Sequence, residues 1–101
     1  MKGWPIMEVE SEKRRFAILR HLMDTPGREL NDMILADGCR VQGIPTTGDQ
    51  ARTAMNWLAE NDLVAVRSLG RFMVAKLTRA GSEVARGIVN VPGIHRFGED
   101  A

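Results

Sequence analysis

A chain of 101 residues is the length of one domain, which excludes two lobes around a cleft and leaves a single small core as the expectation. Hydrophobic residues at 44% and charged residues at 27% are ordinary for a folded protein and exclude a collagen-like or wholly disordered chain. With 14 Lys and Arg against 13 Asp and Glu, the formal charge is +1, so affinity for a polyanion has to come from local arrangement. The lone Cys39 excludes an internal disulfide and a multi-thiolate metal site, suits a reducing compartment, and is expected as a small buried hydrophobe. No apolar run approaches the ~18 residues of a membrane span. Met1 to Met7 (MKGWPIM) is too short for a secretory signal and is broken by Gly3 and Pro5, so the expected location is the cytoplasm with no membrane partner.

Between Glu8 and Asp24, Val9, Phe16, Leu19, Leu22 and Met23 recur at helical spacing, with Lys13, Arg14, Arg20 and His21 on the other side. Thr25, Pro26 and Gly27 end that helix, because proline has no amide to donate and glycine tolerates the turn. Arg28 to Leu30 are too few for a helix and fit a short strand. Asn31 is a good N-cap and Asp32 suits the positive end of a helix dipole, which predicts a short helix to Gly38 with Met33, Ile34 and Leu35 facing inward. Cys39 to Thr46 reads as a turn anchored by Val41 and Ile44. Thr47 and Gln50 stand in capping-box spacing and open a third helix, closed by Asn61, whose apolar stripe is Ala51, Ala54, Met55 and Leu58.

Leu63 to Val66 and Phe72 to Leu77 predict a hairpin, with Gly70 available for positive φ. Thr78 can cap a fourth helix through Asn90, with Ala80, Val84, Ala85 and Ile88 inward. The last stretch, Val91 to Ala101, contains Pro92, Gly93 and Gly98 and is expected as an arm outside the core. The expected division is an N-terminal extension over 1–7, a domain over 8–90 and a C-terminal arm over 91–101.

Helix, short strand, helix, turn, longer helix, hairpin, helix is the order of a winged helix-turn-helix domain, an α+β and mainly helical fold in which the hairpin is the wing. NWLAENDLVAV, from Asn56 to Val66, and AKLTRAGSEVARG, from Ala75 to Gly87, resemble winged-helix regulators of the MarR, ArsR and PadR kind. QARTAMNWLAENDLV, LTRAGSEVARG and VPGIHR are similar to small winged-helix proteins encoded by Mu-like prophages, and the resemblance runs from Phe16 to Arg96. It implies a three-helix core, a β-hairpin wing, a C-terminal helix and a role in transcription control or in DNA handling during packaging. Cys39 stands alone, unlike the paired cysteines of metal-sensing relatives, so no metal is expected.

On physical grounds the third helix is the candidate for the major groove, which admits one α-helix. With Ala51, Met55 and Leu58 inward, helical spacing sends Asp49, Arg52, Thr53, Asn56 and Glu60 outward. Arg52 can reach guanine or a phosphate, Asn56 an adenine edge, and Thr53 a thymine methyl or phosphate oxygen. Between Leu63 and Ala80 stand Arg67, Arg71, Lys76 and Arg79 and no acid. The candidate DNA contacts are therefore Thr47, Gln50, Arg52, Thr53 and Asn56 of the helix and Arg67 and Arg71 of the hairpin. Asp49 and Glu60 oppose this set by placing negative charge toward phosphates.

A second basic cluster, Lys13, Arg14, Arg15 and Arg20, is offset by Glu8, Glu10 and Glu12 and is expected as helical surface or a dimer contact. Trp57 is expected to pack on the wing or the first helix, and Trp4 and Pro5 to dock on a partner subunit or hang free. His95 and Arg96 are open between DNA and a partner. His21 and His95 lie on different elements with no nucleophile or carboxylate at motif spacing, and no phosphate-binding glycine pattern or zinc spacing occurs. No enzymatic activity, cofactor or small-molecule effector is expected. The expected function is binding of double-stranded DNA as a homodimer. The alternative, favoured by Asp49 and Glu60, is an adaptor that binds protein and not DNA.

Overall fold

A computed structural model describes the backbone of residues 6–95 and the side chains of residues 8–95. Helix α1 (Ile6–Met23) leads through a single 3-10 turn (Pro26–Arg28) into strand β1 (Glu29–Asn31). Helices α2 (Asp32–Val41) and α3 (Gly48–Glu60), strands β2 (Val64–Leu69) and β3 (Phe72–Leu77), and helix α4 (Arg79–Ala85) follow. The domain is α+β and mainly helical, as expected. Trp4, Pro5 and Arg96 lie outside the described residues.

Local chemistry sets the helix ends. Asn31, Thr47 and Thr78 are N-caps whose side-chain oxygens accept the amides of Ile34, Gln50 and Gly81. At Thr47 the box is complete, because Gln50 Oε1 accepts the Thr47 amide at 2.9 Å. Helices α2, α3 and α4 stop alike. The amides of Ile44, Leu63 and Ile88 donate back to the carbonyls of Cys39, Leu58 and Glu83, each at 2.9 Å. Each closure turns on a residue with positive φ, Gly43, Asp62 and Gly87. Gly87 therefore ends α4 at Ala85, short of the expected Asn90, and leaves Ile88 exposed instead of inward. Ala80 is also exposed, and Gly81 takes its place at the core. A Cβ at Gly81 would stand 2.0 Å from the Leu63 carbonyl oxygen, so only glycine lets α4 lie against the start of β2.

The sheet is antiparallel in the order β1-β3-β2. β1 meets β3 with Glu29 opposite Lys76 and Asn31 opposite Val74; β2 meets β3 from Val64 opposite Leu77 to Leu69 opposite Phe72. Its inner face, including Leu30, Ala75 and Leu77, packs on the helices, whose most deeply buried side chains include Ile18, Leu19, Leu22, Leu35, Met55 and Leu58. Ala65, Arg67, Leu69, Phe72 and Lys76 lie on the outer face by strand alternation.

Several expected faces turn out differently, each time because a partner from another element sets the orientation. α1 is packed against α2, α3, α4 and β3, so Ala17 and Ile18 are buried along with Phe16, Leu19 and Leu22. Arg14, expected on the polar side, is only 4% exposed. His21 likewise turns its ring onto α2, where a Cβ on Gly38 would lie 2.8 Å from Nε2. α2 directs Asp32, Leu35, Ala36 and Cys39 inward and leaves Met33 and Ile34 exposed, because Asp32 is drawn toward α3. Val41 is 85% exposed and anchors nothing, whereas Ile44 is buried as expected. Residues 91–95 are not a free arm. Val91 and Ile94 pack against the core, the Gly93 carbonyl accepts Arg15 Nη1 at 2.7 Å, and the His95 amide donates to the Glu12 carbonyl at 3.3 Å.

Candidate nucleic-acid interface

The outer side of α3 carries hydrogen-bonding side chains at its start and along its length: Thr47, Gln50, Thr53 and Asn56 are all exposed. The cap already engages Thr47 Oγ1 and Gln50 Oε1, which leaves the Gln50 amide group free to donate. Arg52 sits at the flank. Its Nη1 donates to Asp32 Oδ2 at 2.9 Å and its Nη2 to Asp49 Oδ1 at 3.1 Å. Asp32 is 2% exposed, so Arg52 is the partner of a buried carboxylate and braces α3 to α2. Reaching a base requires Arg52 to leave that pair. Asp49 and Glu60 remain exposed on the same side, with Asp49 partly neutralised by Arg52.

The turn between α2 and α3 is held from α1. Arg14 Nε donates to Thr46 Oγ1 at 3.0 Å and Arg14 Nη2 to the Pro45 carbonyl at 2.6 Å, while Thr46 Oγ1 donates to the Ile44 carbonyl at 2.8 Å. Arg40 donates to the Thr46 carbonyl and pairs with Asp37. Burial pushes the Cys39 thiol under this turn above its ordinary pKa, against smaller opposing effects of the Thr46 hydrogen bond and the charges of Arg14 and Arg40. Beside the turn, α1 and α3 enclose a cleft of about 240 Å³ lined by Glu10, Arg14, Arg15, Asp49, Gln50 and Thr53 among others.

The β2–β3 hairpin presents Arg67 and Arg71. The stretch from Leu63 to Ala80 is free of acid, but β1 brings one to it across the sheet: Arg67 Nη2 donates to Glu29 Oε2 at 2.9 Å. Arg79 is 3.9 Å from Glu83, and Lys76 faces Glu29 across the β1–β3 ladder. Arg71 lies over the Phe72 ring at 5.7 Å, and no carboxylate among the described residues pairs with it. The basic residues of α1 serve mainly as internal brackets. Besides Arg14, Arg20 Nη1 donates to the Ala85 carbonyl at 3.1 Å, and Arg15 lies over Trp57 at 4.3 Å. Burial lowers the pKa of Arg15, against the raising effect of Glu12 and Glu8. Trp57 thus packs against the first helix, one of its two expected places. Among the described residues no group of three or more His, Cys, Asp or Glu is placed to hold a metal ion.

No family model matches the chain, and no solved structure matches it. A protein of Escherichia phage Mu, described as "Uncharacterized protein gp26", is 41% identical over 91 residues that cover 90% of this chain and 94% of the phage protein. The chain belongs to the gp26 family of phage Mu. A Haemophilus influenzae protein, described as "Uncharacterized protein", is 32% identical to this gp26-family chain over 73 residues, 71% of each. The similarity to proteins of Mu-like phages holds at the level of this family. In the gp26-family domain the residues missed at the sequence level are Arg14, Asp32 and Glu29. Asp32 reads as an ordinary first-turn helix acid and Arg14 as one of the charged run Lys13 to Arg15, so neither carried a signal of burial. For Glu29 there was no signal either, because its partner lies on another strand.

Proposed function

We propose that the domain is a winged helix-turn-helix that binds double-stranded DNA, with α2 and α3 as the helix-turn-helix and the β2–β3 hairpin as the wing. It acts as a homodimer in the transcription control or DNA handling of a Mu-like phage. The observation that carries the reading is the succession of two exposed elements. The hydrogen-bonding face of α3, with Gln50, Thr53 and Asn56, is followed after only Asn61 to Leu63 by a hairpin that exposes Arg67 and Arg71. A helix with such a face suits base edges in the major groove, and arginines on an adjoining hairpin suit phosphates. The dimer is supported by Ile88 and Val89, apolar and exposed just beyond α4.

The test is fluorescence anisotropy on duplex fragments over a series of salt concentrations. Replacing Arg67 and Arg71 together with alanine weakens binding to all sequences alike and lowers the salt slope by about two units. Asn56→Ala costs roughly 1–3 kcal/mol on a preferred site and far less on random DNA. If neither change matters, the exposed Asp49 and Glu60 favour the adaptor that binds protein. A monomeric mass on the order of tens of micromolar protein counts against the dimer.

A further inference from the structure

The end of the hairpin carries an apolar side chain that the core does not need. Leu69 is the last residue of β2, 54% exposed, and pairs across the ladder with Phe72. Only Gly70 and Arg71 join the strands, with φ of 61° at Gly70, the pattern of a tight hairpin turn that takes glycine first. Such a turn fixes Leu69 and Arg71 relative to each other, with the Arg71 guanidinium lying over the Phe72 ring. Two residues before Leu69, on the same face, stands Arg67. A solvated strand face ordinarily takes a polar residue here, and a lone exposed leucine would call for no explanation. What distinguishes Leu69 is its place at the outermost rung, between two cations.

We propose that Leu69 is a wedge that enters the minor groove of bound duplex DNA and opens one base step, with Arg71 held at the adjacent backbone. The inference rests on the DNA-binding reading and names what the wing does there. Minor-groove proteins that kink DNA combine these two chemistries: cations are drawn to the negative groove, and an apolar side chain partly unstacks a step. The groove is ~6 Å wide, while paired strands lie ~4.8 Å apart before side chains are added, so the ribbon cannot slide in whole. One side chain at its tip can, and its entry opens the groove. Unstacking costs least at pyrimidine–purine steps such as TA, which makes a flexible step at the wing contact the preferred DNA. The charge beside the tip favours a polyanion over an apolar protein surface, since Arg71 has no acid partner among the described residues and Glu29 meets Arg67 further down the hairpin.

The test uses a duplex of about 30 base pairs, the length over which a bend is readily measured, with a fluorescent donor and acceptor at its ends and a TA step at its centre. The full-length chain is expected to bend it by roughly 20–90°. Leu69→Ala is expected to bind with an unchanged salt slope and leave the duplex nearly straight, while Leu69→Met retains the bend. Replacing the TA step by an A-tract weakens binding several-fold for the parent and not for Leu69→Ala. A saturated, unbent duplex, or equal bends with the parent and Leu69→Ala, overturns the wedge and leaves DNA binding standing. Failure to bind any duplex removes both. Thermal melts of the variants, expected to match the parent because Leu69 is exposed, guard against a folding defect.

Discussion

Arg52→Ala is expected to destabilise the fold far more than loss of a surface ion pair, because the charge left behind is inside. The Arg52 side chain is 39% exposed, but Asp32 is 2% exposed. An exposed pair is worth roughly 0.2–1 kcal/mol, whereas an abandoned buried charge costs roughly 3–5 kcal/mol. Two features of Asp32 reduce the larger figure. It stands in the first turn of α2, where the helix dipole favours a carboxylate by roughly 0.3–1 kcal/mol, and its Oδ1 accepts the Met33 amide at 3.1 Å. Water can also follow the shortened side chain in from the exposed end. The expected loss is therefore about 2–3 kcal/mol, or about 10–20 °C in melting temperature for a chain of this size. Asp32→Asn keeps the shape and removes the charge, at about 1 kcal/mol. In that background Arg52→Ala should cost no more than about 1 kcal/mol, a coupling of about 1–2 kcal/mol between the positions. Urea denaturation followed by circular dichroism measures all four proteins, with equal m-values as the check on two-state behaviour. If Arg52→Ala lies within about 0.5 kcal/mol of the parent, or the single losses simply add, Asp32 is not the charge that Arg52 holds.

Gly81→Ala drives a Cβ to 2.0 Å from the Leu63 carbonyl and is expected to cost at least about 2–3 kcal/mol or prevent folding, whereas Gly48→Ala, with Arg52 Nη2 at an ordinary 3.5 Å, is expected to be neutral or stabilising; thermal melts separate them. Arg14→Met leaves Thr46 without its donor and the Pro45 carbonyl unpaired, for an expected loss of about 2–4 kcal/mol by urea titration. Because the folded Cys39 thiol titrates above its ordinary pKa, its contribution is whole below that value and is lost as pH rises from about 8.5 toward the raised one; urea midpoints between roughly pH 7 and 10 should fall more steeply for the parent than for Cys39→Ala. Gly93→Ala places a Cβ 2.6 Å from the Trp57 ring at a φ of 96°, so it should detach residues 91–95 and shift tryptophan emission to the red.

What the sequence made legible is what acts on neighbouring backbone. Asn31, Thr47, Gln50 and Thr78 announce helix starts because a cap needs only amides two or three residues away. Gly87 carried an equally local stop signal, masked by Ile88, which continues the apolar period although the helix does not. The rotation of α2 was not legible. Periodicity weights Met33 and Ile34 inward, yet the helix turns on a hydrogen-bonded pair between Asp32 and Arg52 that no apolar scale records. For the same reason Arg14 read as surface, its acceptors being on a turn that only the folded chain brings near. At the candidate interface, the residues and their order along α3 and the hairpin were visible. The Asp49–Arg52 pair follows from i,i+3 spacing within α3, but the engagements with Glu29 and Asp32 depend on strand order and helix crossing, which sequence spacing does not encode.

Strand β1 has only Glu29, Leu30 and Asn31, but it governs how the chain can reach its final form. The β2–β3 ladder joins residues near in sequence and can zip early, whereas the β1–β3 rungs tie the end of the first helical segment to a strand that lies beyond all of α2 and α3. Closing so long a loop on three rungs gains little until both intervening helices are in place, so this closure belongs late in refolding, and destabilised rungs should slow it. The two flanks of the domain are thereby one cooperative unit. A chain cut in the turn after α3 would separate β1 from β3, its strand neighbour among the described residues, and both pieces would expose open strand edges prone to association.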